Sequence, residues 1–119
     1  MRQHSVSTLV GAQLDYWVAR AVGKQRPVIV DEKGGAPECL VEVDGTQFEA
    51  FAPFSDVALA DQVLSDSQVK TARAGNLIGS WAGITADGSS VLAANRHVAG
   101  LRALVASRFG NYVFDEVEE

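Results

Sequence analysis

Two stretches of the chain repeat apolar residues at the three- and four-residue spacing of an amphipathic helix. The first stretch, residues 8–22, has apolar positions at Val10, Leu14, Trp17, Val18 and Ala21. The second stretch, residues 89–109, has them at Val91, Ala94, Val98, Leu101, Val105 and Phe109. Each set falls on one side of a helix, so the pattern predicts an N-terminal helix and a long C-terminal helix.

Typical capping residues flank both stretches. A serine or threonine lies at the start of each stretch, at positions 7–8 and 89–90, and these residue types are favoured at helix N-caps. Gly23 and Gly110 follow the two stretches, and glycine commonly ends a helix. The sequence therefore predicts helices that begin near residues 8 and 90.

Between the helices the pattern changes to the two-residue alternation of β-strands. Residues 27–33, 39–45 and 46–53 are rich in β-branched or alternating apolar positions. The cluster GGAP at 34–37 and the dipeptide Asp44-Gly45 separate them, and both are typical of turns. The pattern predicts an antiparallel meander of about three strands.

Weaker signals complete the predicted fold, which is of the α+β class. Ser55 or Asp56 is a typical cap for a short helix, the glycine-rich run 76–85 predicts an irregular strand, and residues 111–114 predict a short final strand. We expect an antiparallel sheet of about three to four strands packed against the N-terminal and the long C-terminal helix. The expected core consists of Leu14, Trp17, Val18, Val98, Leu101, Val105 and Phe109.

The chain length of 119 residues fits one domain. We expect a flexible tail at residues 1–7, a single α+β domain at 8–114 and an acidic tail at 115–119. Cys39 is the only cysteine, so no internal disulfide can form. The N-terminus lacks a signal-peptide pattern, and no apolar run approaches the roughly 20 residues that span a bilayer. The expectation is a cytoplasmic protein without a membrane partner.

The net charge of −5 is unevenly distributed along the chain. Residues 1–26 carry +3 and residues 67–110 carry +4, whereas residues 27–66 carry −8 and residues 111–119 carry −4. One interpretation is that oppositely charged elements pack together and neutralise one another. The other is that a basic face binds an anionic partner, which is less common in an acidic protein.

Candidate chemistry is sparse. The only histidines are His4, in the predicted tail, and His97, which falls on the flank of the long helix and is typical of a partly buried structural histidine. Cys39 begins a predicted strand, where cysteine usually serves as a small apolar side chain. No nucleophile, phosphate-binding or metal-binding motif is recognisable. We expect a protein that is not an enzyme and needs no cofactor or metal.

The candidate binding residues lie on the two predicted helices. Gln13, Tyr16 and Arg20 share a flank of the first helix beside its apolar stripe. Tyr16 either covers the core edge with its hydroxyl in water, or it forms a small recognition patch with its two neighbours. Arg96 and Arg102 lie on the last helix, which has no acidic residue between positions 89 and 109. These five residues are the predicted partner-binding set.

The two helices also carry a family resemblance. The block GAQLDYWVARA at 11–21 and the block VASRFG at 105–110 resemble the NinX-like family of small phage and prophage proteins. That family opens with a similar Gly-Ala-(any)-Leu-Asp-Tyr-Trp-Val-Ala helix and closes on a similar Val-Ala-Ser-(basic)-Phe-Gly helix end. The resemblance implies a phage or prophage origin and work in the bacterial cytoplasm, and it implies no particular reaction.

The middle of the chain departs from the family pattern. The family commonly has a Ser-Thr-Asp-Trp segment followed by paired glycines. Here PFSDVALAD at 53–61 keeps Ser55-Asp56, but Val57 stands where the tryptophan would be and no paired glycines follow. If that segment carries the function of the family, this chain has altered it.

The sequence favours a small, phage-derived, non-enzymatic accessory protein that acts through protein–protein contacts with a partner of unknown identity. The alternative is a nucleic-acid-binding regulatory protein that uses the basic residues of the two main helices. Retention on DNA or RNA that falls steeply with salt would indicate the alternative.

Overall fold

The computed structural model describes residues 3–30, 37–74 and 80–114. Their elements, in chain order, are β1 (Gln3–Ser5), a 3-10 turn (Val6–Thr8), α1 (Gly11–Ala21), β2 (Gln25–Val30), β3 (Glu38–Glu42), β4 (Phe48–Ala50), α2 (Val57–Asp66), β5 (Lys70–Arg73), β6 (Trp81–Ile84), β7 (Ser90–Ala93), α3 (Arg96–Phe109) and β8 (Tyr112–Phe114).

The N-terminal helix α1 follows the predicted spacing, and it buries Leu14, Trp17 and Val18. Its start differs from the prediction. Residues 7–8 belong to the 3-10 turn rather than to a cap, and the N-cap is Val10, which offers no side-chain hydrogen bond. The next residue, Gly11, has a φ of +60°, a left-handed conformation that glycine adopts without a steric penalty.

Within the segment 1–7, for which we expect a flexible tail, the structure describes residues 3–7. Strand β1 pairs antiparallel with β8, so that Gln3 lies opposite Phe114 and Ser5 lies opposite Tyr112. Val6 is 1% exposed, and burial of this apolar side chain explains why the segment is packed. Residues 1–2 and the predicted acidic tail at 115–119 lie outside the described residues.

The predicted meander is present as a three-stranded antiparallel sheet in the order β2-β3-β4. In the middle strand Cys39 and Val41 are buried, because α1 packs on this face of β2 and β3. Leu40 points to the other face, opposite Val28 on one side and Ala50 on the other. The two-residue alternation therefore gave the correct strand pattern.

A second three-stranded antiparallel sheet, in the order β5-β6-β7, packs against α3. Its last strand occupies Ser90–Ala93, which the sequence assigns to the long helix, so that assignment is wrong. Helix α3 begins at Arg96, after the N-cap Asn95, whose side chain accepts hydrogen bonds from the backbone N–H groups of His97 and Val98 at 2.8 and 3.2 Å. The four residues Ser90–Ala93 are too few for the spacing of apolar positions to distinguish a strand from a helix.

Helix α3 and strand β6 approach each other very closely at a glycine. A Cβ added at Gly83 would overlap the carbonyl oxygen of Ala99 and would lie 2.7 Å from the Cα of Gly100. A Cβ added at Gly100 would in turn lie 2.7 Å from a methyl carbon of Leu64 on α2. The two glycines let the sheet and α2 pack directly on the backbone of α3.

The core lies between α1, α3 and the two larger sheets. Most of the predicted core residues are buried, and Leu14, Val18, Leu101 and Val105 are each 0% exposed. Val98 is partly buried against this core. Phe109 is an exception: it is 37% exposed, because it lies at the end of α3, where its ring covers Trp17 from the solvent side.

The α+β class is therefore confirmed, with one difference in architecture. In the part of the chain that the structure describes, the strands form three small antiparallel sheets, of two, three and three strands, in place of a single sheet. Among the described residues, no helix is long and apolar enough to cross a membrane.

Candidate functional site

Gln13, Tyr16 and Arg20 lie along one flank of α1, and side-chain hydrogen bonds are described at both ends of this set. The amide nitrogen of Gln13 lies 3.4 Å from Nε2 of His4 in β1. One turn further along, a guanidinium nitrogen of Arg20 donates to the Tyr16 hydroxyl at 3.5 Å. Both Tyr16 and Arg20 are half-buried. The four-residue spacing read from the sequence therefore places these two side chains in contact.

Arg20 also lies against aromatic rings at the point where α1 and α3 end. Its guanidinium carbon is 5.2 Å from the centroid of Trp17 and 6.0 Å from that of Phe109. The two rings meet edge to face at 5.2 Å. We call Tyr16, Trp17, Arg20 and Phe109 the ring–guanidinium cluster. Such stacking fixes the orientation of a long side chain that would otherwise be mobile at the surface.

Beside this cluster lies an open groove of about 690 Å³. It is formed by the end of α1, by one face of α2 and by Phe51, with Arg108 from the last turn of α3. We call it the helix-end groove. Its lining residues are Arg20, Ala21, Val22, Gly23, Lys24, Phe51, Leu59, Gln62, Val63, Asp66, Ser67 and Arg108.

The charges of the helix-end groove are mostly positive. Arg20, Lys24 and Arg108 line it together with the carboxylate of Asp66. The Lys24 ammonium lies 5.6 Å from the centroid of Phe51. Two of the cations, Arg20 and Arg108, belong to the last turns of α1 and α3, where the helix dipoles favour positive charge.

The other two predicted binding residues lie elsewhere and make contacts within the protein. Arg96 lies 3.3 Å from the carboxylate of Asp61 on α2 and 2.8 Å from Nε2 of His97. Arg102 donates from Nε to the carbonyl oxygen of Leu9 at 2.9 Å, and partial burial lowers its pKa from the ordinary value. The structure therefore does not bring Arg96 and Arg102 together with the flank of α1.

Asp15 is a residue of interest that the sequence reasoning missed. It is 4% exposed, and its Oδ1 accepts a hydrogen bond of 2.7 Å from the backbone N–H of Phe54. Burial raises the pKa of this carboxyl to about 6, against the opposing effect of the Phe54 hydrogen bond. The available signal was its position three residues before Val18 and four before Ala19, which places it beside the buried face of α1.

Asp15 connects the family-like block at 11–21 with the middle segment that departs from the family pattern. It belongs to the Leu-Asp-Tyr-Trp block of α1, and Phe54 directly precedes the Ser55-Asp56 pair. The side chain of Asp56 caps α2 by accepting from the backbone N–H of Leu59 at 3.2 Å. The block at 11–21 therefore holds the start of α2 in place through one buried hydrogen bond.

A smaller cavity of about 310 Å³ adjoins Asp15 and includes Cys39 and Ser55 in its lining. Burial, and secondarily the charge of Asp15, raise the pKa of the Cys39 thiol to about 12. A thiol with so high a pKa is protonated at neutral pH, and the protonated form is a weak nucleophile. Cys39 acts here as a buried apolar side chain.

Comparison with known families agrees with the resemblance seen in the sequence. The family model described as bacteriophage P22 NinX matches residues 5–108, which is most of the chain. The match covers the block at 11–21, the divergent middle segment and residues 105–108 of the second block. No curated protein matches the chain. This protein belongs to the bacteriophage P22 NinX family.

Proposed function

We propose that this phage-family protein is a non-enzymatic accessory protein that binds another protein in the bacterial cytoplasm. The proposed contact surface is the ring–guanidinium cluster, with Gln13 at its edge. Family membership supports the phage origin, and the partner-binding role is inferred from the geometry of this surface.

One observation carries the proposal: the side chains of the cluster order one another, and Tyr16, Arg20 and Phe109 still reach the solvent around the buried Trp17. Phe109 is 37% exposed, and Arg20 is held by the Tyr16 hydroxyl and by two rings. Tyrosine, tryptophan and arginine are the residue types that dominate binding energy at protein interfaces. An arginine that is already oriented loses less side-chain entropy when a partner binds.

The nucleic-acid-binding alternative finds less support in the same geometry. Binding to phosphates requires several cations on one surface that are free to replace counterions. Arg96 is paired with Asp61, and Arg102 donates to the Leu9 carbonyl. Arg96 and Arg102 therefore lie apart from the basic residues that line the helix-end groove, Arg20, Lys24 and Arg108.

Co-purification from phage-infected bacteria tests the proposal. The tagged wild-type chain is compared with a Tyr16→Ala/Arg20→Ala double variant, and Leu92→Ala serves as the control. Leu92 is 56% exposed and lies on β7, in the sheet that does not contribute to the groove. A partner that is retained by the wild type and by the control but lost by the double variant is the expected result.

The experiment also distinguishes a structural role of the pair from a binding role. Each variant is first checked for cooperative thermal unfolding by circular dichroism. Equal retention of every partner by the folded double variant would show that the cluster is not the binding surface.

A further inference from the structure

We propose that the cavity beside Asp15 binds a primary alkylammonium group, supplied either by a lysine side chain of another protein or by a free amine. We call it the Asp15 cavity; residues within 11–15, 37–39 and 50–55 line it. It lies where α1 and β3 begin, next to the segment that leads into α2. No member of the ring–guanidinium cluster lines it, so the inference goes beyond the proposed function.

The lining contains a buried carboxylate that is only partly satisfied. Asp15 is 4% exposed, and its Oδ1 accepts a hydrogen bond of 2.7 Å from the backbone N–H of Phe54. The described residues place no donor on its Oδ2 and no cation in the cavity lining. A buried charge is costly unless it is paired, and a carboxylate oxygen has room for further donors. A cation that donates to Oδ2 would remove this cost.

The local charge is negative even after the helix ends are counted. Asp15 and Glu38 line the cavity and carry one negative charge each. The N-termini of α1 and α2 contribute about half a positive charge each, and Asp56, which caps α2, offsets the second. The Cys39 thiol has a pKa of about 12 and is uncharged at neutral pH. A net charge of about −1 or lower is left, which complements a cationic occupant.

The donor set distinguishes an ammonium group from other cations. Ca²⁺ and Mg²⁺ take roughly six or more oxygen ligands, and the described residues contain no group of three acidic, histidine or cysteine side chains that could hold a metal ion. A guanidinium pairs best with both oxygens of a carboxylate, but Oδ1 of Asp15 is already occupied by the Phe54 N–H. An ammonium is a compact charge that needs only one carboxylate oxygen.

The size and walls of the cavity suit the alkyl chain that carries such a group. The volume of about 310 Å³ is at the lower end of the roughly 300–1,000 Å³ of small-molecule sites. Ala12, Ala52 and Phe54 are half-buried, so part of their apolar surface is still open to be covered by methylene groups. A short amine therefore fits better than an inorganic cation, which would leave this surface uncovered.

An NMR titration of the isotopically labelled chain tests the inference. The probes are n-butylammonium, its uncharged analogue n-butanol, and N-acetyl-lysine methylamide, which presents a lysine side chain in a peptide context. Asp15→Asn keeps the shape of the side chain and removes its charge. Asp44→Asn is the matched control at an exposed position outside the cavity. Glu38→Gln is a second variant at an exposed lining position, and all variants are first checked for cooperative thermal unfolding.

We expect n-butylammonium to shift the backbone amides of Phe54 and Ser55 with a Kd of about 1–10 mM, and n-butanol to bind about tenfold more weakly or less. Asp15→Asn should weaken n-butylammonium binding by about tenfold, because it removes the buried charge. Glu38→Gln should weaken it by about twofold to threefold, since this carboxylate is exposed. Asp44→Asn should leave it within about twofold, because salt screens a distant exposed charge.

The affinity should also follow the ionisation of Asp15. The pKa of this carboxyl is about 6 in the free protein, and a bound cation favours its ionised form. The other described groups of the lining that titrate are Glu38 and Cys39, and Cys39 stays protonated below its pKa of about 12. The affinity for n-butylammonium should therefore rise by about tenfold from pH 5 to pH 7.5 and then level off.

Three results would overturn the inference: no shift at Phe54 and Ser55 with n-butylammonium, equal affinity for n-butanol, or equal weakening by Asp15→Asn and Asp44→Asn. If the lysine derivative binds as tightly as n-butylammonium, the result supports a lysine side chain as the occupant. If only n-butylammonium binds, the result supports a free amine. Capture of a partner through Tyr16 and Arg20 is measured separately, so failure here leaves the proposed function standing.

Discussion

Replacing Asp15 by asparagine is expected to stabilise the protein at neutral pH. The carboxyl group is 4% exposed, and the described residues around it offer the backbone N–H of Phe54 but no cationic partner. Burial without a counter-charge raises its pKa from 3.8 to about 6. Asparagine has the same shape, keeps an oxygen that accepts from Phe54, and carries no charge to desolvate.

The magnitude follows from the difference between the folded and unfolded pKa values of Asp15. Below pH 3.8 the carboxyl is protonated in both states and contributes no penalty. As the pH rises towards 6, the unfolded chain releases its proton before the folded chain does, so the free energy of unfolding falls. About two pKa units at roughly 1.4 kcal/mol each give a penalty of about 3 kcal/mol, fully present above pH 6.

Urea unfolding followed by tryptophan fluorescence measures this effect in the wild type and in Asp15→Asn at a series of pH values. The variant should be more stable by about 1–3 kcal/mol at pH 7.5, and the difference should vanish towards pH 4. Asp44→Asn makes the same chemical change at an exposed position and controls for the loss of one negative charge. A difference that is constant with pH, or a wild type that gains on the variant as the pH rises, would refute the reasoning.

Three further substitutions test the packing of the fold. Gly83→Ala should destabilise it by about 1–3 kcal/mol, because the added methyl group overlaps the Ala99 carbonyl; an unchanged urea midpoint would contradict the close approach. Trp17→Ala should cost about 3–5 kcal/mol, since the indole is 6% exposed, and a wild-type thermal midpoint would argue against its burial. Asn95→Ala should cost about 1 kcal/mol by removing the α3 cap. Unchanged hydrogen exchange in the first turn of α3 would be inconsistent with that role.

The existence and the buried face of α1 were predictable because local spacing alone determines them. Residues 14, 17 and 18 fall on one side of any helix that contains them, and all three are buried. The start of the helix was not predictable in the same way. Thr8 donates its hydroxyl proton to the Ser5 carbonyl at 2.9 Å within the 3-10 turn, and α1 begins three residues later, after the N-cap Val10.

The residue at which α3 begins was not predictable from the sequence alone. Ser89 and Asn95 are both acceptable N-caps, and the apolar residues between them fit either period. Pairing of Ser90–Ala93 with β6 decides the outcome, because Val91 then lies opposite Gly83, on the side that packs against α3. That pairing is a short hairpin, with Ile84 opposite Ser90, but the packing of the hairpin against α3 is a tertiary contact that the spacing of apolar residues does not contain.

Part of the candidate site was also predictable from the sequence, and part was not. The contact between Tyr16 and Arg20 follows from four-residue spacing on one helix, and it was predictable. The groove brings Lys24, Arg108 and Asp66 together from the ends of three helices, so only the tertiary packing reveals it. Asp15 was missed because an acid in a helix is usually exposed, and its buried partner Phe54 lies 39 residues away.

The pairing of β1 with β8 makes the order of synthesis relevant to folding. Val6 donates its backbone N–H to the carbonyl of Asn111 at 2.9 Å, and Gln3–Ser5 pair with the last described strand. Strand β1 therefore has no partner until residues 112–114 have been synthesised. Closing a loop of this length costs entropy that only the completed core repays. We expect nascent chains that stop before Tyr112 to leave β1 open to protease, and chains that extend past Phe114 to protect it.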